Sequence, residues 1–168
     1  TFKMAKLRRY KYFHNECHHV KLFYPFERLP RLPFKVDPEF VDWIYSQYPK
    51  VEIPDDALVA YIRSGDVFGK GHFIHPWYGQ PPCQYFLDAF KKGNFSKLII
   101  VAEDDVNPCV NILKNHSGIH NVNNFEKDIS ILLHAKNLVI SRGSFGYAIA
   151  LLSRKLTNFY TFNLSSSR

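Results

Sequence analysis

Short apolar runs separated by polar, turn-forming breaks recur along the later two-thirds of the chain. Leu58 to Ile62 is apolar, too short for a helix and rich in strand formers; Arg63 ends it and Gly65-Asp66 is a turn pair. The run predicts a buried strand with an arginine at its tip. Lys97 to Ala102 repeats the pattern and ends on Glu103-Asp104-Asp105, and Ile119 to Asn123, Asn137 to Ser141 and Leu156 to Phe162 supply three further strands. Helical stretches lie between them. Pro81-Pro82 open one that runs through Phe90 and closes on Lys91-Lys92-Gly93; Asn107-Pro108 cap another that reaches about His116. Glu126 to Ala135 turns Ile129, Leu132 and Leu133 inward, and Arg142-Gly143-Ser144 leads into the apolar helix Phe145 to Leu152. Strands alternating with helices at this spacing predict βαβ units, hence an α/β domain with a mainly parallel five-stranded sheet and helices on both faces.

Ahead of the first strand, Asp37-Pro38-Glu39 provides an N-cap, a proline at the first helical position and an acid in the first turn, which predicts a helix of about three turns before Pro49. Residues 1–36 read differently. Pro25, Pro30 and Pro33 argue against a regular helix or central strand there, so this stretch is expected to be an irregular lead-in or the remnant of an upstream domain, with one compact domain over 37–168.

Composition changes that picture in one respect. The formal charge is +7, and much of the excess sits in the first 35 residues, where Lys3, Lys6, Arg8, Arg9, Lys11, Lys21, Arg28, Arg31 and Lys35 face only Glu16 and Glu27. With Tyr10, Tyr12, Phe13, Phe23 and Tyr24 interleaved, the stretch keeps nucleic-acid binding as an alternative; with no recognisable RNA or DNA module, a solvated face is preferred and no nucleic-acid partner is expected. His14 and His18 fall at i, i+4, a spacing that would place two imidazoles on one helical face, but no third and fourth ligand follow and no metal is expected. Cys17, Cys83 and Cys109 stand far apart without a C-x-x-C pair and permit one disulfide. No run approaches the roughly 18 apolar residues of a membrane span. Sequons at Asn94, Asn115 and Asn163 permit a secretory route.

A parallel sheet puts all its strand ends on one edge, and three tips there carry polar groups: Arg63 to Asp66, Glu103 to Asp105, and Ser141 to Phe145. Gly143-Ser144 at a helix start offers unpaired backbone N–H groups, a hydroxyl and the positive end of the dipole, which is an anion site. With Arg63 added, a pyrophosphate is gripped from both sides. The carboxylates repel phosphate and suit base, ribose or sugar-hydroxyl donors instead. Val67 to Gln80, with His75 and Tyr78, is a long aromatic loop of the kind that carries function. Blander readings stand beside these: Arg63 as the salt-bridge partner of a nearby acid, Ser144-Phe145 as a helix cap with a core aromatic.

The segment Tyr61-Ile62-Arg63-Ser64-Gly65-Asp66 resembles the H-x-R-x-G-D motif of the α1,2-fucosyltransferase family and related GDP-fucose-dependent transferases. Asp128 to Phe145 is similar to that family's later motif, an Asp-led helix, then a strand, then a Ser/Thr-Phe step, and Tyr78-Gly79-Gln80-Pro81-Pro82 followed by Tyr85-Phe86 resembles the Y-x-Q-P-P element between them. Order and spacing agree over about Leu58 to Leu152. The resemblance implies a Rossmann-like domain, the donor-binding half of a two-domain GT-B enzyme, inverting and independent of metal or other cofactor, that moves fucose from GDP-fucose to a hydroxyl of a glycan acceptor. Arg63 would hold the donor pyrophosphate and support the leaving group, with Gly65 and Asp66 shaping its loop, Tyr61 beside the nucleotide, and Gly143, Ser144 and Phe145 completing the phosphate site. Asp104 and Asp105 stand where relatives recognise guanine. Asp66, Glu103 and His75 are candidate bases, and Tyr78 and Gln80 candidate acceptor contacts. Two positions depart from the motifs: Tyr61 replaces the leading histidine, and Arg142-Gly143 replaces an asparagine. Residues 1–56 are too few to form a second α/β domain, so the expectation is a truncated copy or one half of such an enzyme, in the Golgi lumen if eukaryotic and in the cytoplasm if bacterial. The alternative is a catalytically degenerate nucleotide- or carbohydrate-binding domain.

Overall fold

The computed structural model describes residues 10–15, 18–23, 36–68, 79–116, 118–120 and 124–162. Within the basic lead-in the chain forms a hairpin, β1 (Tyr10–Asn15) against β2 (His18–Phe23), antiparallel with Tyr10 opposite Phe23 and His14 opposite His19. Paired strands stand here in place of the irregular stretch expected. The prolines that argue against regular structure all lie beyond Phe23, and the Tyr- and Phe-rich text before them favours extended strands. His14 and His18 therefore lie on paired strands rather than on one helical face.

Helix α1 (Pro38–Gln47) begins where the sequence places it: the Asp37 carboxylate accepts the Glu39 N–H at 3.0 Å and Pro38 occupies the first turn. The helix is anchored by Tyr45, whose hydroxyl donates to the Leu133 carbonyl at 3.1 Å and accepts from the Arg154 N–H at 2.8 Å. Then come β3 (Ala57–Ile62), α2 (Cys83–Lys92), β4 (Lys97–Ala102), α3 (Pro108–Asn115), β5 (Gly118–His120), α4 (Phe125–His134), β6 (Asn137–Ile140), α5 (Ser144–Leu152) and β7 (Asn158–Thr161). Strands β3 to β7 form one parallel sheet in the order β5-β4-β3-β6-β7.

Side-chain alternation along the strands builds a core on each face. Leu58, Ala60 and Ile62 of β3 pack with Leu98 and Ile100 against Tyr85, Phe86, Val110 and Leu113 of α2 and α3. Val59, Leu138 and Ile140 point the other way, to Ile129, Leu132 and Leu133 of α4 and Ile149 and Ala150 of α5, with Ile44 and Tyr45 of α1 and its C-cap Tyr48 packed at the margin. A disulfide between Cys83 and Cys109 joins the first turns of α2 and α3, which settles the cysteine pairing that the sequence leaves open.

The first strand of the sheet is central. From β3 the chain steps outward through β4 to β5, returns along α4 to the other side of β3, and continues through β6 to β7. The connections leaving β3 and β6 therefore depart to opposite faces, which makes their carboxyl ends the switch point of the sheet.

At the amino edge, buried Asn137 ties strands together. Its Nδ2 donates to the carbonyls of Asp55 and Ala57 at 2.9 and 2.8 Å, and its Oδ1 accepts from Asn158 at 2.7 Å. Strand β7 is shorter than the apolar text suggests, and residues 121–123 of the expected Ile119 to Asn123 strand lie outside the described residues. At the start of β7, Thr157 and Asn158 both spend their N–H groups on the Lys136 carbonyl, which turns the chain before the ladder starts.

Candidate functional site

The switch point at the β3 and β6 carboxyl ends is built largely from the first residues beyond the strands. Ser141 follows β6; its N–H donates to the Tyr61 carbonyl at 2.8 Å and its Oγ accepts the Arg63 N–H at 3.0 Å. One serine thus extends the pairing of the two central strands and fixes where Arg63 leaves the sheet. On the other side, Asn107 Nδ2 donates to the Arg63 carbonyl at 2.8 Å, while the Asn107 N–H donates to Ser64 Oγ at 2.9 Å. Asn107 is also the N-cap of α3, accepting the Cys109 N–H at 2.9 Å.

Ser64 is buried and donates its hydroxyl to Asp104 Oδ1, an oxygen that also accepts the N–H groups of Gly65 at 3.2 Å and Val106 at 3.1 Å. Burial pushes the Asp104 carboxyl up, but the Ser64 hydroxyl and the Val106 and Gly65 N–H groups outweigh it and hold the carboxyl below the usual aspartate range. Asp104 thereby acts as a hub that shapes the Arg63 loop.

Gly65 opens a single 3-10 turn, Gly65–Val67, with φ of 57°. A Cβ there would also fall 2.5 Å from Glu103 Oε1, so the glutamate carboxylate lies over the space that glycine leaves empty. Glu103, Asp66 and Asp105 are exposed.

The Arg63 guanidinium donates from Nη2 to Asp66 Oδ1 at 2.6 Å, and its side chain keeps 34% of its surface exposed. Burial works against its charge, yet the Tyr61 hydroxyl and the Asp66 and Glu103 carboxylates more than offset that, and its pKa is raised. The salt-bridge reading of Arg63 is therefore satisfied, by Asp66, while part of the guanidinium still faces solvent. Burial pushes the Tyr61 phenol up against the opposing pull of Arg63, so it stays neutral over the physiological range.

From the β6 side, Gly143 takes φ of 147° immediately before α5 and has nothing within 4 Å of its Cβ direction; only the backbone requires glycine there. No side chain caps α5, and Gly143 and Ser144 are exposed. Such a helix start presents unpaired N–H groups and a positive dipole end. Phe145 turns inward, with its ring 5.3 Å from that of Tyr61. Gln80 Nε2 donates to the Arg142 carbonyl at 3.4 Å.

Tyr61, Arg63, Asp66 and Glu103 are thus brought together, and Phe145 is joined to them through Tyr61. His75 and Tyr78 lie outside the described residues. Ser64 and Ser141 fall within the polar strand tips that the sequence marks but without a role assigned to either, and Asn107 is the positioning residue that sequence reading missed. Asn107 was legible only as a helix cap, and nothing in its sequence context shows that its other hydrogen bonds go to residues 43 and 44 positions earlier. Among the described residues no group of three His, Cys, Asp or Glu side chains is placed to hold a metal ion, and no helix is long and apolar enough to cross a membrane. No protein-family model, curated protein or solved structure matches the chain.

Proposed function

We propose that this chain is a Rossmann-like donor-binding half of a fucosyltransferase-like enzyme, with GDP-fucose as its nucleotide sugar and a glycan hydroxyl as acceptor. The observation that carries the reading is the position of Arg63: a partly exposed guanidinium leaving the central strand where the strand order reverses, the place where open α/β sheets bind ligands. A diphosphate there competes with Asp66 for the guanidinium and takes further N–H donors from the start of α5. As the acceptor oxygen attacks the anomeric carbon and the sugar–phosphate bond breaks, negative charge grows on the departing diphosphate, and Arg63 stabilises it. Glu103, exposed and lying over Gly65, and Asp66, released as the diphosphate takes the guanidinium, are the carboxylates that would take the acceptor proton. The Cys83–Cys109 disulfide and the exposed sequon residues Asn94 and Asn115 support an oxidising compartment such as the Golgi lumen.

Calorimetric titration with GDP and GDP-fucose, with ADP and UDP as controls, tests the reading. Saturable GDP binding that disappears in Arg63→Ala is expected; wild-type affinity in that variant overturns it. Multiple turnovers of radiolabelled donor separate a transferase from a domain that only binds.

A further inference from the structure

Phe125, the first residue of α4, is 67% exposed, more than the other large apolar side chains found exposed, Phe40, Trp43, Val106 and Ile112. Nothing in the start of the helix requires it. Asn124 caps α4 by accepting the Lys127 N–H at 2.9 Å, and Ile129, Leu132 and Leu133 anchor it to the sheet. The Phe125 ring lies 6.2 Å from that of Phe145 at 36°, the Phe145 ring lies 5.3 Å from that of Tyr61, and Tyr61 stands two residues before Arg63 at the end of β3, where its hydroxyl favours the guanidinium's charge. A row of rings therefore leads from exposed Phe125 through half-buried Phe145 and Tyr61 toward the partly exposed Arg63 side chain. A nucleoside diphosphate carries the matching series of groups: a planar base, a sugar, then an anionic tail.

We propose that Phe125 and Phe145, backed by Tyr61, form a stacking subsite for the base of a nucleoside diphosphate whose phosphates lie on Arg63. The subsite rests on the reading of Arg63 as the phosphate ligand. Stacking accepts any base because every base has a π-face, so these rings supply affinity and orientation, and base choice falls to polar groups. Asp104 is then left to its observed work of holding the Arg63 loop.

Calorimetric titration of the whole chain with GDP and, separately, with inorganic pyrophosphate tests the subsite, because pyrophosphate has no base to stack. In Phe125→Ala, GDP binding is expected to weaken about tenfold with pyrophosphate binding unchanged, and Phe125→Trp is expected to restore or exceed wild-type GDP affinity. Unchanged GDP affinity in Phe125→Ala, or equal loss of both ligands, overturns the subsite. If wild-type protein binds both and Arg63→Ala loses both while Phe125→Ala changes neither, the Arg63 reading stands and the subsite falls. Wild-type protein that binds neither ligand overturns both.

Discussion

Asn107 Nδ2 donates to the Arg63 carbonyl at 2.8 Å, so the cap of α3 and the tip of β3 are held by one buried side chain. Asn107 uses its N–H, its Nδ2 and its Oδ1 at once, on Ser64, Arg63 and Cys109. Asn107→Ala removes the cap and leaves the Arg63 carbonyl without that donor. A loss of about 1–3 kcal/mol in urea unfolding is expected. Asn107→Asp, which keeps the cap but replaces the Nδ2 donor with an acceptor, should recover only the part due to capping; full recovery would mean that the bond to Arg63 contributes nothing.

Acid stability should report Asp104. Its folded carboxyl sits below the usual aspartate range, so the unfolded chain binds the proton more readily at this position. The contribution is fully present above the unfolded aspartate value and is lost as pH falls through the folded one. Asp104→Asn should accordingly flatten the acid limb of a stability–pH curve while lowering stability at neutral pH. Parallel curves for the two proteins would show that Ser64, Gly65 and Val106 bind the neutral acid equally well.

Gly65 carries both a left-handed backbone angle, φ of 57°, and the Glu103 carboxylate over its missing Cβ. Gly65→Ala should cost about 1–2 kcal/mol from the backbone alone. Glu103 is an exposed, flexible side chain that can swing aside, so adding Glu103→Ala should recover little of the loss. Large recovery in the double variant would assign the cost to the clash.

Reduction of the Cys83–Cys109 disulfide by a dithiol opens a link between residues 26 apart. Loop-closure entropy at that separation gives about 3–4 kcal/mol, read as a lower urea midpoint for the reduced protein. An unchanged midpoint would show that the core of α2 and α3 against the sheet determines stability there.

Gly146 lets α5 lie close on β6: a Cβ would come 2.9 Å from Ile140 Cγ2, an atom fixed within the core. Gly146→Val should overpack this contact and destabilise by about 1–3 kcal/mol, and Ile140→Ala, which removes Cγ2 and Cδ1, should cost less in the Gly146→Val chain than in the wild-type chain. Independent, additive effects in thermal unfolding would contradict the contact.

The order of strands and helices in the main domain was legible in the sequence because each element carries a complete local signal. Lys97–Ala102 is a six-residue apolar run with a charged end, and Asp37-Pro38 and Asn107-Pro108 are caps whose side-chain oxygens accept the N–H groups two residues on. Periodicity and capping act over a few residues, so a linear text contains them. The strands Tyr10–Asn15 and His18–Phe23 are less legible, because Pro25, Pro30 and Pro33 constrain only the residues next to them and say nothing of the chain before Phe23.

Strand order, the Cys83–Cys109 pairing and the setting of Arg63 were decided by tertiary structure. Placing β3 between β4 and β6 brings Ser141 to the Arg63 N–H across 78 positions of sequence and Asn107 to its carbonyl across 44. Local text names an arginine at a strand tip and a serine and an asparagine elsewhere. The hydrogen bonds that hold that arginine in one place exist only once the sheet has assembled, because they join groups that no local interaction brings together.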